Sequence, residues 1–223
     1  MSYNFVIGPT DTDSISVGKP DGSAFSKEEI KNLTDELMSI SPDKMIWEDD
    51  GYYPTVIILK TKNYILWDGQ KKTIKGSSLK DAKTEKALKY FLNEIIDAII
   101  HDTKDYKEIY ERYVKEALNI TDMSRWSSKK TISTKVLSSE RANESKVRDA
   151  IEGSEIVEGD RIWTYFTSDN RLQLLEKFDG DYNEDRMLEK LYKKAMTFKE
   201  VIPKDTFINY KLKKNKKLLQ GLE

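Results

Sequence analysis

Two aspartates near the start of the chain have the type and spacing of ligands for a divalent metal ion. The segment Asp11-Thr12-Asp13-Ser14 lies between two short apolar runs, residues 5–7 and 15–17. These runs predict the strands of a β-hairpin. Residues two apart in a strand point to the same side, so Asp11 and Asp13 can converge on one ion. Carboxylate oxygens of this kind suit Mg²⁺.

Taken alone, an Asp-Thr-Asp turn is a weak signal. Aspartate is common in turns because its side chain accepts hydrogen bonds from nearby backbone amides. The spacing by itself therefore leaves open a metal-free α+β interaction protein in which this turn is only structural.

The elements that follow the aspartates predict an antiparallel sheet with one helix. Ser26 lies three residues before Glu29, which is the spacing of a capping box at the start of a helix. Apolar residues at helical spacing continue to Met38, and the helix should end near Pro42. Asp68-Gly69 predicts a hairpin turn. The predicted strands are residues 45–48, 55–59, 64–67 and 73–74.

After residue 76 the apolar pattern changes to that of helices with a second small β-hairpin. The fold class we predict is therefore α+β, with an antiparallel sheet over residues 1–76 and a mainly helical part over residues 77–223. The predicted helices are residues 88–99, 106–118, 143–151 and 187–195, and the predicted strands are 131–133, 162–166 and 172–175.

Four segments in order resemble landmarks of family B DNA polymerases. Residues 5–17 resemble motif C, a palm hairpin with the pattern Tyr-Gly-Asp-Thr-Asp-Ser. Lys60-Thr61-Lys62-Asn63-Tyr64 resembles the family's Lys-Lys-x-Tyr motif, and Lys75-Gly76 lies where these enzymes pass from palm to thumb. Residues 156–162 are similar to a Gly-Asp-Arg-Ile strand late in the thumb. Gly8-Pro9-Thr10 departs from the family's Tyr-Gly, so we expect a turn longer by one residue.

This resemblance implies that residues 1–76 are the C-terminal portion of a palm and residues 77–223 a thumb. The implied function is DNA-directed DNA polymerase, with Asp13 and Asp11 as metal-binding catalytic residues of a two-Mg²⁺ site. The family's earlier palm aspartate and nucleotide-reading helix do not occur in the sequence. We therefore expect activity only with an N-terminal partner that carries exonuclease, fingers and the rest of the palm, acting on primer-template DNA and dNTP. A phage-like split polymerase gene and a truncated polymerase would give the same sequence.

The resemblance also implies a set of residues that contact DNA. Lys60, Lys62 and Tyr64 would contact the primer strand, since cations and a phenol suit phosphate and groove contacts. The remaining predicted contacts are Lys75, Lys80, Lys129, Lys130 and Lys135. Single lysines are more often only solvated. Trp126, near the last three, is expected to be a packing anchor, and Arg161 to pair with acidic neighbours.

Composition and charge argue against several classes of binding site. The formal net charge is −1, which argues against a free-standing nucleic-acid binder, although charge is segregated along the chain. With no cysteine and one histidine, zinc is not expected. The acidic run 179–185 begins like a calcium loop, but Glu184 and Lys190 occupy the positions that need Gly and Glu, so it predicts the first turn of a helix.

The sequence also indicates where the protein is located and which further partners it could have. No apolar run is long enough to span a membrane and the start of the chain lacks the pattern of a secretory signal, so we expect a cytoplasmic protein. Leu218–Leu222 is a candidate tail for a sliding clamp. The alternative function is a non-catalytic DNA-binding or processivity module derived from a polymerase thumb.

Overall fold

The chain divides into two compact units, Met1–Lys80 and Asp81–Glu223. The structure, a computed structural model, describes residues 5–11, 13–76, 79, 83–212 and 217–221. Both units combine helices with antiparallel strands, which confirms the α+β fold class. The proposed palm-to-thumb boundary after residue 76 stays a prediction. Within the described ranges, no helix is both long and apolar enough to cross a bilayer.

The first unit contains a two-stranded hairpin, one helix and a three-stranded sheet. Its elements are β1 (Val6–Asp11), β2 (Ser14–Gly18), α1 (Lys27–Ile40), β3 (Thr55–Lys60), β4 (Asn63–Trp67) and β5 (Lys72–Lys75). The hairpin pairs β1 with β2, and the sheet has the order β3-β4-β5.

A bulge in β1 accommodates the residue by which the hairpin departs from the motif C pattern. Ile7 pairs with Val17 and Thr10 with Ile15, so two residues of β1 oppose Ser16 alone. The second of these is Pro9, which has no N–H to donate and is tolerated at a bulge. The last pair is Asp11 with Ser14, which leaves a two-residue connection. The expected longer turn is therefore wrong, because the extra residue lies within the strand.

The helix α1 begins at the predicted capping box, and its side chains contribute little to the core. Ser26 Oγ accepts a hydrogen bond from the Glu29 backbone N–H at 3.2 Å, and the Glu29 carboxylate accepts one from the Ser26 N–H at 2.7 Å. This capping box starts the helix. None of its residues is buried. The strand predicted at residues 45–48 does not form, and Ile46 is 75% exposed; an apolar run without a partner strand has no ladder to stabilise it.

The three-stranded sheet carries most of the small core of the first unit. Alternation along β3 buries Ile57 and Leu59 while Ile58 is exposed, and Ile65 of β4 pairs with Ile57. The register shifts between Ile58 and Lys60, so Leu59 is an extra residue in β3. The chain then turns through residues 61–62 into β4.

The second unit buries most of the apolar residues of the chain. Its helices are α2 (Lys86–Ile100), α3 (Tyr106–Leu118), α4 (Thr134–Ser138), α5 (Ala142–Ile151) and α6 (Glu184–Ala195). Its strands are β6 (Ser128–Thr131), β7 (Arg161–Phe166) and β8 (Leu172–Leu174), paired in that order. The four helices predicted from apolar spacing are confirmed, as is the hairpin of β7 and β8.

Two cores stabilise this unit. One is aromatic: the ring centroids of Phe91 on α2 and Tyr113 on α3 are 5.4 Å apart, an edge-on contact that adds to burial. The other lies between the sheet and α5 and includes Ile132 and Ile162. The predicted strand 131–133 is displaced toward the N-terminus, because Ile132 leaves the ladder to bond with the Gly159–Asp160 loop.

A buried carboxylate joins three elements of the second unit. Glu85, which precedes α2, is only 6% exposed. It accepts a hydrogen bond from Ser128 Oγ at 2.5 Å and pairs with the ammonium of Lys190 on α6. Burial alone would raise the pKa of Glu85, but the cation and the hydrogen bonds outweigh it and hold this pKa below its ordinary value of 4.5.

We predict that Glu85→Gln destabilises the second unit by about 2 kcal/mol at pH 7, since it leaves Lys190 partly buried without a counter-charge. The lowered pKa means that this stabilisation is present above pH 4.5 and is lost as the pH falls through the folded-state pKa. Urea unfolding, followed through resonances of the second unit, should show the difference from wild type shrinking between pH 7 and acid. Glu155→Gln, at an exposed carboxylate, should have little effect; an equal loss in both variants would contradict the prediction.

We predict a second, steric effect at Gly76. Its φ is +104°, and an added Cβ would lie 2.3 Å from Asn63 Oδ1 and 2.5 Å from the Lys62 backbone oxygen. Gly76→Ala should therefore cost more than about 2 kcal/mol. Gly69, with φ +99° and no atom within 4 Å, is the matched control; Gly69→Ala should cost about 1 kcal/mol. Equal midpoints for the two variants in thermal unfolding would show that the contact with Asn63 does not matter.

Candidate active site and nucleic-acid interface

The two aspartates lie at the tip of the β1–β2 hairpin. Asp11 is the last residue of β1, and Asp13 lies in the turn before β2. Both are exposed, as expected where short polar side chains favour a turn. Carboxylates in this setting keep their solvation, so an incoming cation can reach them without rearrangement of the core.

The β3–β4 turn brings a cation to this tip. Lys62 Nζ lies 3.1 Å from Asp11 Oδ1, and the two side chains are 66% and 40% exposed. Exposed ion pairs of this kind contribute less than about 1 kcal/mol. Lys62 also has φ +58°, a left-handed conformation that costs a residue with a side chain about 1 kcal/mol. Lys62 is thus held beside Asp11 by the conformation of the turn more than by the strength of the ion pair.

The other predicted contacts in the first unit surround this turn. Lys60 is exposed at the end of β3, directly before the turn. Half-buried Tyr64 pairs with Ile58 on one side and with exposed Lys75 on the other. Cross-strand partners share one face of a sheet, so the side chains of Tyr64 and Lys75 leave the sheet at neighbouring positions on the same face. Lys80 lies outside the described residues.

The two carboxylates at the hairpin tip are ligand types that suit Mg²⁺, and their convergence on one ion stays a prediction. In the part of the chain that the structure describes, no group of three or more His, Cys, Asp or Glu residues could hold a metal ion. Two carboxylates can still fill part of an octahedral Mg²⁺ shell, because Mg²⁺ usually keeps several waters and takes one or two carboxylates from the protein. The donor set therefore fits Mg²⁺ but leaves the remaining ligands to water, substrate or another chain.

In the second unit the predicted DNA contacts do not form one group. Lys129 lies on one face of β6, with its Nζ 5.6 Å from the ring centroid of Trp163. Lys130 is on the opposite face, since side chains alternate along a strand. Lys135 is exposed on α4. Half-buried Lys130 has a lowered pKa, because burial disfavours its charge and neighbouring cations repel it.

Sequence reasoning missed two cations on α6. Arg186 and Lys190 lie four residues apart and therefore on one face of the helix, and both act on the charge of Lys130. The sequence shows both cations at this spacing, but the helix is predicted from its apolar positions alone. Cationic residues at that spacing beside a buried stripe could have identified this face.

Other residues singled out in the sequence have structural roles. Trp126 is buried and donates from Nε1 to Glu116 Oε1 at 3.0 Å, which confirms it as a packing anchor. Asn183 caps the start of α6, with acidic residues in the first turn, as the run 179–185 predicted. The expected ion pair of Arg161 is wrong within the described ranges: this residue is exposed at the start of β7, and the carboxylate of Asp160 accepts the Val157 N–H instead.

The sequence and the fold of this chain can be compared with those of known proteins. No family model matches the chain, and no curated protein matches it. Among solved structures, it is similar to the family B DNA polymerase from the hyperthermophilic archaeon Pyrobaculum calidifontis, with a TM-score of 0.63 and 14% sequence identity. The similarity covers 89% of this chain and 27% of that polymerase chain. This chain thus has the fold of a portion of a family B DNA polymerase.

Proposed function

We propose that this chain is the C-terminal palm segment and thumb of a family B DNA-directed DNA polymerase. In this proposal it works with a partner that carries the exonuclease, the fingers and the rest of the palm. Its substrates are primer-template DNA and dNTP, and its cofactor is Mg²⁺. A split, phage-like polymerase gene would encode such a palm segment and thumb as a separate chain. The chain would act in the cytoplasm.

The observation that carries the proposal is the contact between Lys62 and Asp11. Two segments about fifty residues apart resemble polymerase motifs independently, and the fold brings their tips within 3.1 Å. Lys62 reaches Asp11 from a left-handed conformation, which is uncommon for a residue with a side chain. Such outliers cluster at functional sites, where the surrounding structure holds them.

The chemistry we propose divides between the ion and the side chains. Asp13, with Asp11, would hold Mg²⁺, which when bound supplies charge stabilisation for an in-line displacement at phosphorus. Lys62, which pairs with Asp11, would be available to a primer phosphate if Asp11 held the ion. Tyr64 and Lys75, at neighbouring positions on one face of the sheet, orient the primer strand.

The need for a partner is supported by the apolar surface of the first unit. Its hairpin exposes Val6 by 54% and Ile7 by 66%. Its sheet exposes Ile58, and α1 has no buried residue. An isolated hairpin is marginal in water, and exposed apolar patches mark interaction surfaces. The fold match to 27% of a longer polymerase chain agrees with missing palm elements as the occupant.

We predict that Mg²⁺-dependent primer extension by the mixture with the N-terminal fragment falls by at least about 10³-fold in Asp13→Asn, because the neutral amide holds the metal poorly. Asp11→Asn should lose less. Asp35→Asn, at an exposed carboxylate on α1, is the control and should extend normally. Extension that survives Asp13→Asn would favour the alternative, a non-catalytic DNA-binding module.

We also predict that Ile7→Lys weakens association with the N-terminal fragment by about 10- to 100-fold, since burying such a side chain is worth about 1.5–3 kcal/mol. Isothermal titration calorimetry would measure it. Val157→Lys, at a residue of the second unit that is 61% exposed, is the matched control. Equal affinities for both variants would exclude the hairpin from the interface. A sliding clamp, proposed to bind Leu218–Leu222, can be titrated in the same way.

A further inference from the structure

The turn that joins β3 and β4 fixes the backbone of Lys62 beside the hairpin tip. Asn63, the next residue, is 7% exposed, and its Nδ2 donates a hydrogen bond to the Thr61 backbone oxygen at 3.0 Å. Gly76 directly follows β5, and a Cβ at this position would lie 2.5 Å from the Lys62 backbone oxygen. The glycine therefore allows a close approach of two backbone segments. Contacts of the backbone, and not only attraction to Asp11, determine where the lysine side chain starts.

The ammonium of Lys62 lies where it affects any cation at Asp11. Its Nζ is 3.1 Å from Asp11 Oδ1. A Mg²⁺ ion on the same oxygen would lie about 2.1 Å from it, and hence at most about 5 Å from the ammonium in its present position. Charges of +1 and +2 repel one another at this separation even in water. The ammonium and a divalent cation therefore compete for one carboxylate.

The exposure of the pair makes this competition reversible. The side chains of Lys62 and Asp11 are 66% and 40% exposed, so the ammonium can leave the carboxylate by rotation of its flexible stem. No part of the core has to rearrange. Solvent also weakens the attraction. The expected consequence is a reduction of cation affinity by a moderate factor, and not a complete block.

We propose that Lys62 is a built-in competitor that lowers the affinity of Asp11 and Asp13 for a divalent cation. Withdrawal of the ammonium should therefore raise this affinity. The inference rests on the proposed function for a metal ion at the hairpin tip and for the primer strand. A primer phosphate that binds Lys62 would remove the competitor, so the primer and the metal ion would bind cooperatively.

The first test is a Mn²⁺ titration of the ¹⁵N-labelled full chain, followed through paramagnetic broadening of the amide resonances of the β1–β2 hairpin. Lys62→Asn removes the charge and keeps the turn, because asparagine favours left-handed conformations. We expect it to bind Mn²⁺ about 3- to 10-fold more tightly than wild type. Absence of hairpin broadening at the highest Mn²⁺ concentration, in both chains, would overturn the proposal.

Two control variants separate local competition from a general charge effect. Lys31→Gln removes one exposed cation from α1 of the same unit and should bind Mn²⁺ like wild type. Lys62→Arg keeps the charge and should also behave like wild type. Equal gains in Lys62→Asn and Lys31→Gln would overturn the proposal. The gain in Lys62→Asn should shrink at high salt, because salt screens exposed charges; a gain that salt leaves unchanged would indicate an altered hairpin instead.

The second test concerns the proposed cooperativity. Wild type and Lys62→Asn are titrated with Mn²⁺ at the same saturating concentration of primer-template duplex, so that Mn²⁺ bound by the DNA affects both chains alike. The difference between their midpoints should become smaller than without duplex. An unchanged difference would show that the duplex does not withdraw the lysine, and would overturn the cooperative part of the proposal.

This inference and the proposed function fail separately. Equal Mn²⁺ midpoints for wild type and Lys62→Asn, in a chain whose mixture extends primers in a manner that depends on Asp13, would overturn the competition alone. The expected difference in midpoints, in a mixture that does not extend primers, would overturn the polymerase function and support the competition.

Discussion

The organisation of the second unit depends on the burial of one carboxylate. Glu85 cannot remain ionised at 6% exposure without compensation, and its partners come from β6 and from α6. The pair therefore fixes the start of α2 against a strand and a helix that follow much later in the chain. The same contact uses the charge of Lys190 to offset that of Glu85.

The two units use charge in different ways. In the first, Lys62 and Asp11 meet in solvent, where attraction is weak and a competing ion or phosphate can exchange with either partner. In the second, Arg186 is fixed by an aromatic ring and a buried environment. An exposed pair can exchange partners at little cost in free energy, whereas a stacked guanidinium keeps one orientation.

The distribution of apolar side chains separates the units further. Nearly all fully buried apolar residues are in the second unit, where two cores satisfy its helices. The first unit has a thin core between its strands, and the outward apolar residues of its hairpin and of α1 remain in water. The first unit therefore exposes a larger share of its apolar residues than the second.

Local interactions explain what the sequence determined by itself. The two aspartates, the hairpin that carries them, the capping box at Ser26 and the apolar stripes of the long helices depend on neighbours a few residues away, so composition and period predict them. The order of the polymerase-like segments can also be recognised in the sequence. Tertiary structure alone decided the bulge opposite Ser16, the exposure of Met45–Ile46 without a partner strand, and the meeting of Lys62 with Asp11. It likewise placed Arg186 over Phe166 and Lys190 beside Glu85, because contacts between residues twenty to a hundred positions apart depend on how whole elements pack.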